Sequence, residues 1–395
     1  MTQAPLSDKE LKRTLSVVAA AKTYADAAAK LGISTRRVSA RIATARARGW
    51  AVPERGPAVD ALRSPGEVRD AAFWRRVAQE RGREITKIEK MLAEVGGLAE
   101  TPVAPPSWML PRAGKKKRAT IGLFLSDVHA GEVIEADEIL GLNEYDIEIC
   151  RARLRRYFAA ACEIGQRWMA DCTPAGAFLA LGGDLISGDI HDELRMTNAL
   201  TAHEQVLLLV EEVAAGLRHV ANIYGRVHVA SVPGNHGRTT IKSHAKQYAR
   251  LSYDTLAAKM LAGVFETDKR VTFQIASGPD LIVDLFGKHI FLTHGDKMGT
   301  GGGVGFAGPI LPIVRGIKKV EIQQFHAKRH FDLLLSGHYH LSANANGALS
   351  NGSVPGYSEF ANGLRASVEE PSQWLYLFHE KWGLRERVEV RLGGI

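Results

Sequence analysis

The spacing of apolar residues changes near residue 118, and this change divides the chain. Between Ser7 and about Trp50, apolar residues recur every three or four positions, as on the buried face of a helix. Ser7 and Glu10 have the spacing of a capping box, which marks the start of a helix. The pattern predicts three short helices: one from Ser7, one over about 24–31, and one after the Leu-Gly-Ile turn that follows.

Beyond residue 118, short apolar runs alternate with helical patterns, and the last third of the chain is richer in strand-like runs. We predict strands over 120–126, 177–182, 227–232, 271–275, 281–286, 289–293, 332–335, 374–378 and 388–392. We predict helices over 145–170, 200–221 and 243–262. Strand–helix repeats followed by paired strands indicate an α/β domain in which two mixed β-sheets pack together with helices outside.

The predicted elements and the composition together divide the chain into three parts. Residues 1–52 would form a small all-α domain, and residues 119–395 the α/β domain. Residues 53–118 are rich in Pro and Gly around one charged helical pattern over about 67–95, which is typical of a linker. The charged helix would dock on the α/β domain or pair with another copy of the chain, so a homo-oligomer formed through the linker is one expectation.

The overall composition is that of an ordinary globular protein, with 45% hydrophobic and 24% charged residues among 395. No run approaches the roughly 18 apolar residues of a membrane span, and the N-terminus lacks the apolar core of a signal peptide. The three cysteines are an odd number and lie outside the motifs described below. We therefore expect a cytoplasmic protein with reduced thiols and no membrane contact.

Positive charge is concentrated in the N-terminal third. Residues 1–118 contain 24 Lys and Arg against 12 Asp and Glu, whereas the whole chain has a net charge of +8. The remainder is therefore slightly acidic. This asymmetry predicts a polyanionic partner for the N-terminal part.

The second and third predicted helices resemble a helix-turn-helix. Residues 24–38 combine small alanines, a Leu-Gly-Ile turn and the start of a polar, basic helix, as in a recognition helix that enters the major groove of DNA. We expect Arg36, Arg37 and Arg41 to contact DNA. The alternative is a small protein–protein module whose arginines form a solvated surface.

Side chains suited to metal binding follow five apolar runs, each at the point where the run breaks off. The stretches are Asp127-Val-His129, Gly183-Asp184, Gly234-Asn235-His236, His294 and Gly337-His338-Tyr339-His340. Sites in open α/β sheets form at the carboxyl ends of the strands, so these side chains would meet at one edge. Their mixed imidazole, carboxylate and amide groups suit Mn²⁺, Fe or Zn²⁺.

Taken in order, the five stretches resemble the signature of the calcineurin-like metallophosphoesterases over about residues 119–345. The resemblance implies a four-layer sandwich of two β-sheets between helices, and two divalent ions, for which we expect Mn²⁺ ahead of Fe or Zn²⁺. It implies that the first ion is held by Asp127, His129, Asp184 and His340. It implies that the second ion is held by Asp184, Asn235, His294 and His338, so that Asp184 bridges the two.

The resemblance also implies a reaction. A hydroxide held between the two ions would attack phosphorus, and His236 would act as general acid toward the leaving oxygen. The family usually has an acidic residue directly after the Asn-His pair, where this chain has Gly237. What orients His236 is therefore open, with Asp296 as a candidate, and Arg238 is a candidate for binding the substrate phosphate.

Three functions compete on these observations. The first is a metal-dependent DNA phosphodiesterase, a nuclease brought to its substrate by the helix-turn-helix. This hypothesis is favoured because tethering a DNA-binding module raises the local concentration of phosphodiester bonds. The second is a phosphatase or small-molecule phosphodiesterase with a regulatory N-terminal domain. The third is a non-enzymatic DNA-binding protein.

Overall fold

The computed structural model describes residues 7–21, 24–50, 52, 106, 108–109, 118–299, 310–345 and 347–394. The chain divides into two compact units, Met1–Lys87 and Ile88–Ile395. The charged helix expected over 67–95 lies outside the described residues, as does the oligomer contact assigned to it. Within the described residues, no helix has both the length and the apolar character needed to span a membrane.

Three helices form the described part of the first unit. They are α1 (Asp8–Ala20), α2 (Tyr24–Leu31) and α3 (Thr35–Ala47). Ser7 and Glu10 form the predicted capping box of α1, and Ser34 caps α3. A small apolar core joins the helices and includes Val18, Ala27, Ala28, Val38 and Ile42. The three predicted helices are therefore present at nearly the predicted bounds.

The first sheet of the second unit has six strands. They are β1 (Arg118–Leu125), β2 (Thr173–Leu181), β3 (Val227–Ser231), β4 (Val271–Ile275), β10 (Ser372–His379) and β11 (Gly383–Arg391). Their order is β11-β10-β1-β2-β3-β4. The strands β1 to β4 run parallel, and β10 and β11 join antiparallel at one side. The sheet is therefore mixed, as predicted.

The second sheet has five strands. They are β5 (Asp280–Leu285), β6 (Lys288–Thr293), β7 (Leu333–Ser336), β8 (Ala343–Ala345) and β9 (Ala348–Ser350). Their order is β5-β6-β7-β9-β8, with β6, β7 and β9 parallel in the centre. The antiparallel strands β5 and β8 form the two edges.

Six α-helices of the second unit are described. They are α4 (Ile147–Trp168), α5 (Asp192–Thr197), α6 (Ala202–Tyr224), α7 (Tyr253–Val264), α8 (Ile310–His326) and α9 (Glu359–Gly363). The helices α4, α6 and α7 pack in one apolar cluster with the first sheet, whereas α8 packs in another with β6 and β7. Each sheet therefore has helices on one face.

The other faces of the two sheets pack against each other. In β1, Ile121 and Leu123 belong to the cluster with the helices, whereas Phe124 belongs to a cluster shared with the second sheet. This alternation follows from the two-residue period of a strand, and both faces are apolar because both are covered. Trp108 and Met109, which we assigned to the linker, also pack in the cluster between the sheets. The α/β class with two mixed sheets is as predicted.

Four helices differ from the prediction, and two of them, the short helices α5 and α9, were not predicted from the sequence. The helix expected over 243–262 begins only at Tyr253, because Ser252 caps it and the preceding residues form a loop. The helix α8 was not predicted, and Pro312 and Gly316 inside it explain why its sequence is a weak helix signal. Pro312 is tolerated because it lies in the first turn, where backbone N–H groups have no helical acceptor.

Candidate metal centre

Every side chain that the sequence singled out as a ligand lies just beyond the carboxyl end of a parallel strand. Asp127 and His129 follow β1, Asp184 follows β2, and Asn235 follows β3. His294 follows β6, and His338 and His340 follow β7. The two sheets thus present their carboxyl ends to one place, and the loops that leave them bring the side chains together.

The backbone is strained at five of these positions. Asp127, His129, Asp184, His338 and His340 all have positive φ, between 45° and 72°. Residues other than glycine rarely adopt this region, and each instance costs on the order of 1–3 kcal/mol. Such strain persists where the surrounding structure enforces it, and it gathers at functional sites.

The first group of potential ligands comprises Asp127, His129 and His340, whose ligand atoms lie within 4.8 Å of one another. The Nε2 atoms of His129 and His340 are 3.1 Å apart, and His340 Nε2 is 3.4 Å from Asp127 Oδ1. The side chains of Asp127 and His129 are almost fully buried. Two imidazole nitrogens and a carboxylate oxygen thus converge on one small volume.

The second group comprises Asp184, His294 and His338, again with ligand atoms within 4.8 Å of one another. His294 Nε2 lies 2.9 Å from Asp184 Oδ2 and 3.1 Å from Asn235 Oδ1. The other ring nitrogen of His294, Nδ1, lies 2.9 Å from the carbonyl oxygen of Gly182, which can only accept a hydrogen bond. This bond turns Nε2 toward the group, as a metal ligand requires.

Hydrogen bonds connect the two groups. Asp127 Oδ1 accepts the backbone N–H of His338 at 2.8 Å, and the backbone N–H of His129 donates to the Asp184 carbonyl at 3.1 Å. A side chain at Gly234 would place its Cβ 2.2 Å from Asp184 Oδ1. Only glycine therefore allows the loops after β2 and β3 to approach this closely.

Burial and neighbouring charges shift the pKa values of these histidines in opposite directions. Burial lowers the pKa of His338 to about 4, and burial with the neighbouring histidines lowers that of His129 well below its usual value. Burial would also lower the pKa of His294, but the adjacent Asp184 carboxylate outweighs it and raises this pKa to about 10. Without a metal ion, His294 therefore carries a proton that balances the charge of Asp184.

His236 lies beside both groups. Its backbone N–H donates to Asp184 Oδ1 at 2.6 Å, and its ring centroid is 4.7 Å from that of His129. His236 Nδ1 is 3.0 Å from the carbonyl oxygen of Ser187. Since a carbonyl only accepts, Nδ1 carries a proton and Nε2 is the nitrogen left to exchange one. The ring of His191, which the sequence did not single out, is 5.8 Å from that of His236.

Two further candidates have other contacts. Arg238 donates from all three guanidinium nitrogens to carbonyls of its own loop, those of Asn235, Thr240 and Ile241. Phosphate binding by Arg238 would require these bonds to be exchanged and stays a prediction. Asp296 accepts the hydroxyl of Tyr248 at 2.8 Å and pairs with Lys297 at 2.9 Å, whereas the ring of His236 is held by Ser187.

Two carboxylates beside the ligands, the partly buried Glu132 and the fully buried Asp254, were not predicted from the sequence. Glu132 Oε2 lies 3.5 Å from His129 Nδ1, and burial raises the pKa of Glu132 to about 7. Asp254, at the start of α7, is fully buried, and burial next to Asp184 raises its pKa to about 6. The only signal for Asp254 was a Ser252-Tyr-Asp254 sequence typical of a helix start.

A third group of potential ligands lies at the amino ends of β6 and β7, opposite the carboxyl ends where the other two groups lie. His289 at the amino end of β6, and His330 and Asp332 just before β7, bring their ligand atoms within 4.8 Å. His330 and Asp332 are exposed, and the Asp332 carboxylate already accepts the backbone N–H of His289 at 2.7 Å. This surface group is thus distinct from the two buried groups.

The arginines proposed to contact DNA differ in their surroundings. Arg36 and Arg37 are exposed near the start of α3. Arg41 is half-buried and reaches α1, where its guanidinium donates to Glu10 at 3.3 Å and to Thr14 at 3.4 Å. Arg41 therefore ties α3 to α1 within the first unit.

The donor set of the buried groups fits divalent metal ions. Imidazole nitrogens and carboxylate oxygens converge, both candidate groups lie in protected surroundings, and hydrogen bonds orient the ring of His294. No protein-family model matches the chain, and no curated protein matches it closely enough to be counted as a relative.

Proposed function

We propose that residues 119–395 form a phosphoesterase that depends on two divalent metal ions and cleaves phosphodiester bonds of DNA. The observation that supports this most is the position of Asp184. Its Oδ2 lies 2.9 Å from His294 in the second ligand group, and its Oδ1 accepts the N–H of His236. Its backbone carbonyl binds the loop that carries His129 of the first group.

The proposed ligands divide between two ions. One ion would be held by Asp127, His129, Asp184 and His340, and the other by Asp184, Asn235, His294 and His338. Two such ions would lower the pKa of a bound water and neutralise charge on the phosphate. We expect Mn²⁺, with Fe or Zn²⁺ as alternatives, because the ligands mix nitrogen and oxygen atoms.

His236 would donate a proton to the leaving oxygen of the substrate. Its backbone is fixed by Asp184 and its Nδ1 by Ser187, so the ring has little freedom to turn. The proton would therefore leave from Nε2. A positioned general acid of this kind contributes about 10²–10⁴-fold to a rate.

DNA is favoured as substrate because of the first unit. Its third helix exposes Arg36 and Arg37 near its N-terminus, and residues 1–118 carry twice as many basic as acidic residues. Lys and Arg side chains bind phosphates by releasing counterions, whatever the DNA sequence. The first unit would thus hold polynucleotide near the metal centre by its tether.

A substrate panel tests this proposal. The purified full chain in Mn²⁺ would be given linear and circular DNA in single- and double-stranded form, RNA, bis-p-nitrophenyl phosphate and p-nitrophenyl phosphate. We expect hydrolysis of DNA and of the diester bis-p-nitrophenyl phosphate, with the Asp184→Asn variant, purified identically, inactive. Hydrolysis confined to the monoester would favour a phosphatase. DNA binding without hydrolysis of any substrate would favour a non-enzymatic protein.

A further inference from the structure

We propose that Asp254 positions the metal centre, by holding together the two loops that carry Asp184 and the Asn235–His236 pair. The role assigned to Asp254 rests on the metal centre proposed above. Asp254 lies in the first turn of α7 and is fully buried. Its carboxylate touches the backbone of both loops and none of the reacting atoms, so it acts through other residues.

Three backbone N–H groups donate to the Asp254 carboxylate. Oδ2 accepts from Asp184 at 3.1 Å and from Gly234 at 2.8 Å, and Oδ1 accepts from Leu185 at 3.1 Å. Asp184 and Leu185 belong to the loop after β2, whereas Gly234 belongs to the loop after β3. A single carboxylate oxygen, Oδ2, therefore bridges the two loops directly.

The chemistry of these bonds requires a carboxylate. A buried charge is tolerated only where hydrogen bonds replace the water it has lost, and three N–H groups here do so. An amide at the same place would offer one oxygen and one NH₂ group. The NH₂ group would face at least one backbone N–H group, which also donates, so at least one of the three hydrogen bonds would be lost and the others would lose their negatively charged acceptor.

The space around Gly237 supports the same role. A Cβ at this position would lie 2.6–2.8 Å from the carboxyl atoms of Asp254. The backbone carbonyl of Gly237 also accepts the N–H of Tyr253 at 2.6 Å. The helix start thus packs directly on the loop that carries His236, and its carboxylate fills the place of a side chain at position 237.

The first test uses Asp254→Asn, which keeps the shape of the side chain. In the metal-free, chelated protein, hydrogen exchange followed by mass spectrometry should show lost protection in the segments around 184 and 234. Mn²⁺ affinity by titration calorimetry should fall about 10–100-fold, as is usual when a group that orients metal ligands is removed. The electron paramagnetic resonance spectrum should lose the exchange coupling of a closely spaced Mn²⁺ pair.

The matched control is Glu212→Gln. Glu212 is also a buried carboxylate, but it pairs with Arg151 and Arg155 between α6 and α4, away from the ligands. This variant should unfold more easily, while its Mn²⁺ affinity and spectrum stay those of the wild type. The comparison separates a loss of positioning from a general loss of stability.

A second test removes the carboxylate at position 254 and introduces one at position 237, which faces it. Asp254→Ala should lose Mn²⁺ affinity, and adding Gly237→Asp should recover part of it, because the new side chain enters the vacated space. If Asp254→Asn does not fold, the comparison of Asp254→Ala with the double variant tests the positioning role instead. Recovery supports the positioning role, and a folded double variant with no recovery overturns it.

The remaining outcomes are also decisive. Unchanged hydrogen exchange and Mn²⁺ affinity in a folded Asp254→Asn variant would overturn the role of Asp254 while leaving the proposed function intact. A wild-type chain that binds none of Mn²⁺, Fe or Zn²⁺ would refute the proposed function. The exchange measurement on chelated protein would then still show whether Asp254 holds the two loops.

Discussion

Asp184 Oδ1 accepts the backbone N–H of His236 at 2.6 Å, so the residue proposed to bridge two ions also holds the proposed proton donor. The other oxygen of the same carboxylate lies 2.9 Å from His294 Nε2. The proposed metal binding and the proposed proton transfer would thus be linked through one side chain. A change at Asp184 should affect both metal binding and proton transfer, whereas a change at His236 should affect proton transfer alone.

Asp184→Asn should lose metal and activity together. The substitution keeps the size of the side chain but removes the negative charge that both ions would share. The bound metal per chain, measured by mass spectrometry after dialysis against limiting Mn²⁺, should fall below that of the wild type. Two ions still bound per chain would show that Asp184 is not the bridge.

His236→Ala should keep the bound metal and lower turnover by about 10²–10⁴. The loss should be smaller for p-nitrophenyl esters, because p-nitrophenolate leaves without needing a proton. Steady-state rates on substrates with good and poor leaving groups measure the difference. Equal losses on both kinds of substrate would exclude His236 as general acid.

The positions of the candidate ligands were predictable because strands impose them. Apolar runs that end in Asp127, Asp184 and His294 could be recognised in the sequence, and parallel strands bring their carboxyl ends to one edge. The left-handed backbone of these loops was not predictable, since Asp127 and Asp184 have no glycine-like sequence signal. It is set by the contacts of the folded loops.

The contacts of Asp254 could not be predicted from the sequence. Asp254 is 70 residues from Asp184 and 20 from Gly234 along the chain, and its carboxylate binds backbone N–H groups, which every residue but proline has. A contact to backbone N–H groups therefore leaves no recognisable motif in the sequence. The late start of α7 at Tyr253 also decides where this carboxylate lies, and helix ends are the hardest feature to read from a sequence.

Mn²⁺ binding at pH 8 should release about one proton from His294. Its pKa is raised to about 10 beside Asp184, so the ring is protonated in the metal-free site, and a bound ion requires the unprotonated Nε2. Affinity should therefore rise with pH until about pH 10. Titration calorimetry in buffers of different ionisation enthalpy counts the proton.

The same pKa shift predicts the stability of the metal-free protein. Since the folded pKa of His294 is raised from 6.5 to about 10, its contribution is complete below pH 6.5 and is lost as the pH rises through 10. The unfolding midpoint of the chelated protein should fall over this range. Mn²⁺ binding without proton release between pH 7 and 9 would contradict the protonated state assigned to His294.

The three arginines proposed to contact DNA should differ in their effect on stability. Arg41 donates to Glu10 and Thr14 of α1, so Arg41→Ala should lower the stability of the first unit. Arg36 and Arg37 are exposed, and their replacement should leave the fold unchanged. Only the replacement of Arg36 and Arg37 is a clean test of DNA contact, and thermal unfolding of each variant checks the difference.

Arg36→Ala with Arg37→Ala should weaken binding to duplex DNA and make it less sensitive to salt. A phosphate that no arginine neutralises keeps its counterions, so the slope of log K against log salt should become shallower by roughly 0.9 per phosphate. Hydrolysis of bis-p-nitrophenyl phosphate should stay at the wild-type rate, because every proposed ligand lies beyond β1. Binding of labelled duplex across a salt series, beside turnover on the small diester, measures both effects. If the variant binds duplex with unchanged affinity and slope, α3 does not meet DNA through these residues, and a regulatory or protein-binding role for the first unit becomes the better explanation.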